Sequence, residues 1–528
     1  MKHLFFSFVF FAFTSLALFS QSSVGADPDV LFKGGDYVGA LAEYLKLEKK
    51  TPDDPHLKHQ IGLCYLNIHD DKSKAGPYLM YCFNKGFGGN QIALEAGMAL
   101  QYANDLKGAE FCYKQYRTNA NTKEKEMVDH LIETCLNAKE LMKHPVAVKF
   151  ENLGKEVNTR YPDYYPFVTK NEGTLYFTSR RQGSVGNQIS AAGYFSADIY
   201  YSKVNKGQWT TAKNMGPLFN TKEDEECVAI TSDGKKMIVY VYHDDTGSDL
   251  FYAEYPAKGK AFARPVGFLE PVNTDAAELE ACFNTEATML FFVSDRKGGH
   301  GEADIYCSKL LPTLEWGEPV NLGENINTKY KEGFPQISED GQTLYFASQG
   351  HTSMGGFDIF KSQWDSINKT WGKPVNIGYP VNTTDDDMMF SLAGRGRDGY
   401  ISACKKGGFG DLDIYKVIFT DVEEPYTAIR GWVRSIDSTK TELETFISIT
   451  NLETKTEVDA KDINHKTGRY IFIVSPGKYR IDVKSVGHQD ISAEVIVYDK
   501  SDFAGEIEKN ITVLPVGYVP PKLPPKKK

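Results

Sequence analysis

The sequence has little that would serve metal, nucleotide or nucleophilic chemistry. Its eight cysteines include no CxxC pair, and neither cysteines nor histidines fall at zinc-ligand spacing, so no metal and no cofactor is expected. HExxH and GxSxG are missing, which removes the zincin and nucleophile-elbow readings. Basic charge is not in excess: 60 Lys and Arg stand against 70 Asp and Glu, and the net charge of −10 argues against a nucleic-acid partner. No stretch beyond the first 26 residues is long and apolar enough to cross a bilayer. No cysteine precedes Cys64, so an acylated lipoprotein start is not expected.

What is present begins with an export signal. Lys2 and His3 precede an uncharged apolar run from Leu4 to Phe19, and Val24 and Ala26 supply small residues at −3 and −1 of a cleavage site. Residues 1–26 are therefore read as a signal peptide and the product as exported. The composition, with 30 Tyr, 32 Phe and 46 Gly, favours aromatic strands separated by glycine turns. At about 100–200 residues per domain, 528 residues suggest about three domains.

Residues 27–143 carry apolar side chains at helical spacing. Gly35-Asp36-Tyr37-Val38-Gly39-Ala40-Leu41-Ala42-Glu43-Tyr44 resembles the second helix of a tetratricopeptide (TPR) repeat. Leu106-Lys107-Gly108-Ala109-Glu110 with Tyr113 echoes it. The resemblance implies an all-α array of about three repeats, with a concave face for a partner or a role as spacer. The cysteines here (Cys64, Cys82, Cys112, Cys135) and in the strand-like region (Cys227, Cys282, Cys307, Cys404) read mostly as small buried hydrophobes.

Between 144 and 420 two anchors keep one beat of about 55 residues. Asn-Thr recurs at Asn158, Asn220, Asn273, Asn327 and Asn382, and an Asp-(Ile/Leu)-aromatic triplet begins at Asp198, Asp249, Asp304, Asp358 and Asp413. Each unit holds an aromatic strand, such as Leu344-Tyr345-Phe346, and most a later Trp-x-x-Pro, such as Trp371-Gly372-Lys373-Pro374, or a close relative. Four short strands per unit make a propeller blade. The last unit lacks a fourth strand and Val146–Gly154 supplies an orphan one, so the ends complete one sheet and close the ring. Five blades are expected; six is the alternative. These units resemble the TolB-type, WD-like propeller repeat.

Residues 425–515 alternate apolar and polar in short strands and read as a small β-sandwich. Lys466-Thr467-Gly468-Arg469-Tyr470 with Pro476-Gly477-Lys478-Tyr479 resembles the carboxypeptidase-regulatory-like sandwich. Residues 516–528 form a Pro/Lys-rich tail. The full order of modules resembles the periplasmic proteins of Bacteroidota of the PorE type, OmpA-family members associated with type IX secretion. The OmpA domain is missing here, so direct peptidoglycan binding is not expected. The resemblance implies a periplasmic, outer-membrane-associated scaffold that links envelope proteins, for secretion or gliding.

The repeated aspartates read as turn caps, since a residue present once per blade serves each blade alike. Gly394-Arg395-Gly396-Arg397-Asp398-Gly399 matches GxGxxG but reads as a hairpin turn. Acidic clusters after the Asn-Thr anchors, with Glu225, Glu226, Glu278, Glu280, Glu332, Asp386 and Asp387, suggest a rim that holds a cation or a basic partner, or else solvated loops. The expectation is a non-enzymatic scaffold. The alternatives are a glycan-binding envelope protein, whose exposed aromatics stack on sugars, or a propeller glycosidase.

Overall fold

The computed structural model describes residues 27–518, apart from 69–70, 191, 244–246, 257–260, 394–397, 421–425, 438, 440–441 and 498–505. The signal peptide, most of the tail and the first four residues of the GxGxxG match lie outside the described residues. The chain divides into two compact units, residues 1–138 with 145–421, and residues 139–144 with 422–528.

The first unit contains a ring of five sheets. Blade I comprises Asp163–Val168, Thr174–Ser179 and Asp198–Asn205 with two short outer pairs. Blade II comprises Asp224–Ile230, Lys236–His243, Gly247–Glu254 and Val266–Gly267. Blade III holds Glu278–Phe283, Met289–Ser294, Asp304–Lys309 and Val320–Asn321, and blade IV is built around Glu332–Ile337, Thr343–Ser348 and Asp358–Asp365. Blade V joins Phe390–Leu392, Gly399–Ala403 and Asp413–Phe419 to Val148–Asn152 from the start of the ring. That last pairing is antiparallel, from Val148 opposite Phe419 to Asn152 opposite Tyr415, and it removes the open edges that would invite association. The strands form where aromatic and β-branched residues cluster, and their inner faces merge into a core that includes Phe292, Phe346, Ile305 and Leu344.

One polar latch recurs around the ring. The Asn of each Asn-Thr pair accepts the backbone N–H of the residue after the repeated Asp, at Ile199, Leu250, Ile305, Ile359 and Ile414. In four blades its side-chain N–H₂ also donates to a second Asn: Asn158 to Asn152, Asn220 to Asn214, Asn327 to Asn321 and Asn382 to Asn376. That second Asn in turn donates to Asp413, Asp198, Asp304 or Asp358. Those aspartates also accept loop N–H groups, for example His300 and Gly301 at Asp304, as turn caps do.

The helical segment corrects one expectation. An independent all-α domain of TPR-like repeats does not form, and the described chain is mainly β, with seven helices. These are α1 (Pro28–Lys33), α2 (Tyr37–Glu48), α3 (Pro55–Asn67), α4 (Ala75–Asn84), α5 (Gln91–Tyr102), α6 (Leu106–Thr118) and α7 (Thr122–Leu141). The first six, and α7 as far as Ala138, belong to the same compact unit as the ring. The reason is in their polar residues. Gln101 on α5 donates to the Met354 carbonyl, Asn137 on α7 to the Ser353 carbonyl, and the Lys72 ammonium to Asp385. A free-standing solenoid buries its faces against its own neighbours, whereas these helices bury polar groups against blades IV and V. His59 on α3 is half-buried and pairs with Glu95 on α5 at 2.6 Å.

The second unit holds two four-stranded sheets. One is built on Thr427–Ser435 with Arg469–Val474, Glu506–Glu508 and Ile511–Val513. The other comprises Thr445–Asn451, Thr456–Asp462, Gly477–Ser485 and Ile491–Val497. Ile429, Ile447, Phe472 and Ile481 lie in the core between them.

Candidate functional site

The acidic residues singled out in the sequence divide into two kinds. An acid stands at or just before the start of each innermost strand, at Asp163, Glu225, Glu278, Glu332 and Asp387, and each of these accepts the backbone N–H of the Thr four residues before it at 2.5–2.8 Å. The same Thr hydroxyls donate to the same carboxylates. Asp163, Glu225, Glu278 and Glu332 are buried and Asp387 is half-buried, and all five close the Asn-Thr turn. Burial pushes Glu225 and Glu332 up to about 8 and Asp387 to about 7, against the opposing pull of their Thr partners. Asp386 accepts the Phe357 N–H at 2.9 Å. Glu225, Glu278, Glu332 and Asp387 are thus held by the threonines of their own turns, and Asp386 by the Phe357 N–H.

Glu226 and Glu280 are different. They follow the repeated acid by one and by two residues. The matching positions in the other blades carry Tyr164, Leu279, Gly333 and Met388, or Tyr165, Cys227, Phe334 and Met389. A residue that breaks the repeat cannot be explained by what every blade needs, and here both exceptions are carboxylates. The innermost strands carry them to the ring axis. Tyr165 of blade I stacks on Phe334 of blade IV with ring centroids 5.7 Å apart, and its hydroxyl lies 3.5 Å from Glu280 of blade III. A side chain that reaches two non-adjacent blades spans the axis. Its φ of 52°, like the 53° of Phe334, is in the left-handed region that bulky side chains avoid. Both sit beside register shifts in their strands, where a bulge re-aims the side chain.

Around this plug the groups form a buried polar cluster. The Tyr164 hydroxyl donates to Glu226 Oε1 at 2.5 Å. Arg180 donates to Asp224 Oδ2 at 2.8 Å and stands 3.5 Å from Glu226 Oε1. Glu226 Oε2 is buried without a hydrogen-bond partner. Glu280 accepts from the Phe334 N–H at 3.5 Å, a long and weak contact. Tyr240, hydrogen-bonded to Ser248, completes the surround and is felt electrostatically by both acids. Burial raises Glu226 to about 7 despite Arg180, and raises Glu280 to about 8, with the neighbouring Glu226 charge adding to the rise. Beside Glu280, Tyr165, Phe334, Gln336 and Met389 line a cavity of about 10 Å³, room for one water-sized group.

Arg180 opens the segment 180–197 that joins the second and third strands of blade I, twice as long as the matching 295–303 and 349–357 of blades III and IV. Connections of this length in a compact fold tend to carry function. Sequence reasoning named Glu226 and Glu280 but passed over Tyr164, Tyr165, Arg180 and Tyr240. The signal that finds them is departure from the repeat rather than the repeat itself. Among the described residues no group of three or more His, Cys, Asp or Glu is arranged to hold a metal ion.

No protein-family model matches the chain, and no curated protein matches it. Solved structures do align with it loosely. The catalytic domain of a Coprinopsis cinerea GH62 alpha-L-arabinofuranosidase shares 10% identity over 52% of this chain and 98% of its own, with a TM-score of 0.33. The Pseudomonas aeruginosa periplasmic gluconolactonase PpgL shares 9% over 63% of this chain and 99% of its own, at 0.28. A Penicillium chrysogenum alpha-L-arabinanase shares 11% over 52% and 98%, at 0.30. The expectation of a protein without enzymatic activity is withdrawn: the axis holds a pair of buried acids whose protons are held more tightly than usual, as groups that transfer protons are.

Proposed function

We propose that the chain is a glycan-directed protein of the cell envelope, with the axial end of the propeller as its sugar site. The observation that carries this reading is the pair of non-repeated carboxylates, Glu226 and Glu280, set among Tyr164, Tyr165, Tyr240 and Phe334. A sugar presents two chemistries at once: an apolar C–H face that packs on aromatic rings, and hydroxyls that donate to carboxylates. Placing both at the ring centre, on side chains the repeat does not require, supports recognition of such a ligand there. The export signal expected at residues 1–26 supports an envelope location.

The test is a glycan array probed with the purified chain, followed by product analysis of every glycan retained. Binding that is lost in Glu226→Gln and Glu280→Gln supports the axial site. Release of shorter sugars would add hydrolysis to recognition. Retention of no glycan by the folded wild type overturns the reading.

A further inference from the structure

The second unit carries an open cleft of about 510 Å³ at one end of its sheet of Thr445–Asn451, Thr456–Asp462, Gly477–Ser485 and Ile491–Val497. Strand register sets its floor. Phe446 stands opposite Asp462 on one side and Lys484 on the other, while the alternation of its strand turns Ile447 and Ile449 into the core. The outer face therefore presents an aromatic ring, 45% exposed, and Val486, 73% exposed, lines the same cleft. Glu444, Asp462 and Asp490 surround these apolar groups, and Lys484 and His465 complete the charged lining. Among the described residues none of the three carboxylates has a hydrogen-bonded or ion-paired side chain beside it. Three carboxylates against the Lys484 ammonium leave an excess of negative charge.

A later part of the chain runs along the border of this cleft. The Gln489 N–H donates to the Leu514 carbonyl at 2.8 Å, and the Val516 N–H donates to the Gly487 carbonyl at 3.1 Å. Leu514–Val516 is thereby held against Gly487–Gln489, the residues between Val486 and Asp490 of the lining. Shortly after this anchor the sequence enters residues 519–528, with four lysines, four prolines, Leu523 and no acid. We propose that the cleft is the docking site of this Lys/Pro-rich segment of the same chain. Its ammonium groups meet Glu444, Asp462 and Asp490, and Leu523 and the prolines pack on Phe446 and Val486. Proline restricts a chain before it docks, so less entropy is lost on binding. At about 3.1 Å per residue in an extended form the segment reaches about 30 Å, ample for a cleft that begins beside its anchor. Tethering also sets an effective concentration of about a millimolar, so a contact too weak to retain a free peptide is sufficient here. A basic peptide from another protein then has to displace a built-in occupant.

The experiment is carbodiimide crosslinking of the full chain, which joins a carboxylate to an amine only where the two are in contact, read by peptide mass spectrometry. Lys522, Lys526, Lys527 or Lys528 should be linked to Glu444, Asp462 or Asp490 at least about fivefold more often than to Glu457 and Glu494, exposed acids of the same sheet outside the cleft. Salt at about 0.5 M should bring the two sets level. Phe446→Ala keeps every carboxylate and removes a ring that lies outside the core, and it should cut the cleft links at least about threefold. Equal linking to cleft and control acids, cleft links that salt leaves unchanged, or cleft links unchanged in Phe446→Ala overturn the proposal. A mixture of isotope-labelled and unlabelled chains fixes the source: links that mostly join one chain to another overturn it in favour of a second copy.

Discussion

The Tyr164 hydroxyl reaches from blade I to Glu226 Oε1 on blade II at 2.5 Å, tying two neighbouring innermost strands together at the ring axis. It is the shortest contact Glu226 makes, with Arg180 farther off at 3.5 Å. Tyr164→Phe removes the donor and keeps the ring. The expected cost is about 1–3 kcal/mol, since the buried Glu226 Oε1 loses its nearest partner and keeps only Arg180 at 3.5 Å. A shift in the urea midpoint at unchanged slope would show it; an unchanged midpoint would mean that the bond contributes nothing net.

The buried acids give the protein an unusual pH dependence. Glu225, Glu280 and Glu332 rise to about 8, and Glu226 and Asp387 to about 7, all above the ordinary carboxylate range. The folded state therefore binds protons that the unfolded chain releases. Their stabilisation is complete below the ordinary carboxylate value and is lost as pH rises through about 7–8. The melting temperature should fall between pH 5.5 and 8.5. Glu280→Gln, uncharged throughout, should flatten that decline and melt above the wild type at pH 8.5.

His130 tests the opposite limb. Its ring stacks on Tyr330 with centroids 4.0 Å apart, and Nε2 donates to the Gln349 carbonyl at 2.9 Å. Burial, with Lys329 acting in the same direction, lowers it to about 4 against the pull of that carbonyl. A histidine held neutral in the fold contributes stability that is lost as pH falls from its ordinary value towards 4. His130→Phe keeps the stack and should remove this acid-side loss in a melting-temperature profile from pH 6.5 to 4.

Tyr165 fills the axis from a strained backbone position. Tyr165→Ala deletes the plug, and the loss of a buried aromatic costs about 3–5 kcal/mol. The vacated space connects to the cavity beside Glu280. Small apolar probes should then raise the melting temperature of the variant and leave the wild type unchanged.

The ring closure has a direct control built into the repeat. Asn152, on the first strand, and Asn321, inside blade III, make the same three bonds: to the repeated Asp, from the next glycine N–H, and from the Asn-Thr asparagine. Asn152→Ala and Asn321→Ala should lower stability by similar amounts, about 2–4 kcal/mol. A much smaller loss for Asn152→Ala in chemical denaturation would show that the closing strand is loosely held.

What the chain discloses before folding follows from how repetition works. The Asn-Thr and Asp-Ile-Tyr anchors are legible because each serves a local bond made once per blade, and Val148–Asn152 is legible as a strand without a sheet. The axial cluster is hidden because Tyr165, Glu280 and Phe334 are far apart in sequence and meet through ring geometry alone. The helices mislead for a related reason. Their spacing advertises amphipathic packing, but whether Gln101 and Asn137 face another helix or a propeller blade is a tertiary fact. The seven acids read as one rim show both effects: most answer a neighbouring threonine, and two answer the centre of the molecule.

The pairing of Val148 with Phe419 also sets an order of events. The ribbon made first among the ring's strands finds its hydrogen-bonding mate only when the last of them emerges, so that blade cannot mature while synthesis is under way. Until then both edges lie bare to any passing strand, and a chain truncated before Asp413 keeps them so. Nascent and clipped molecules, rather than finished ones, are where self-association of this protein should concentrate.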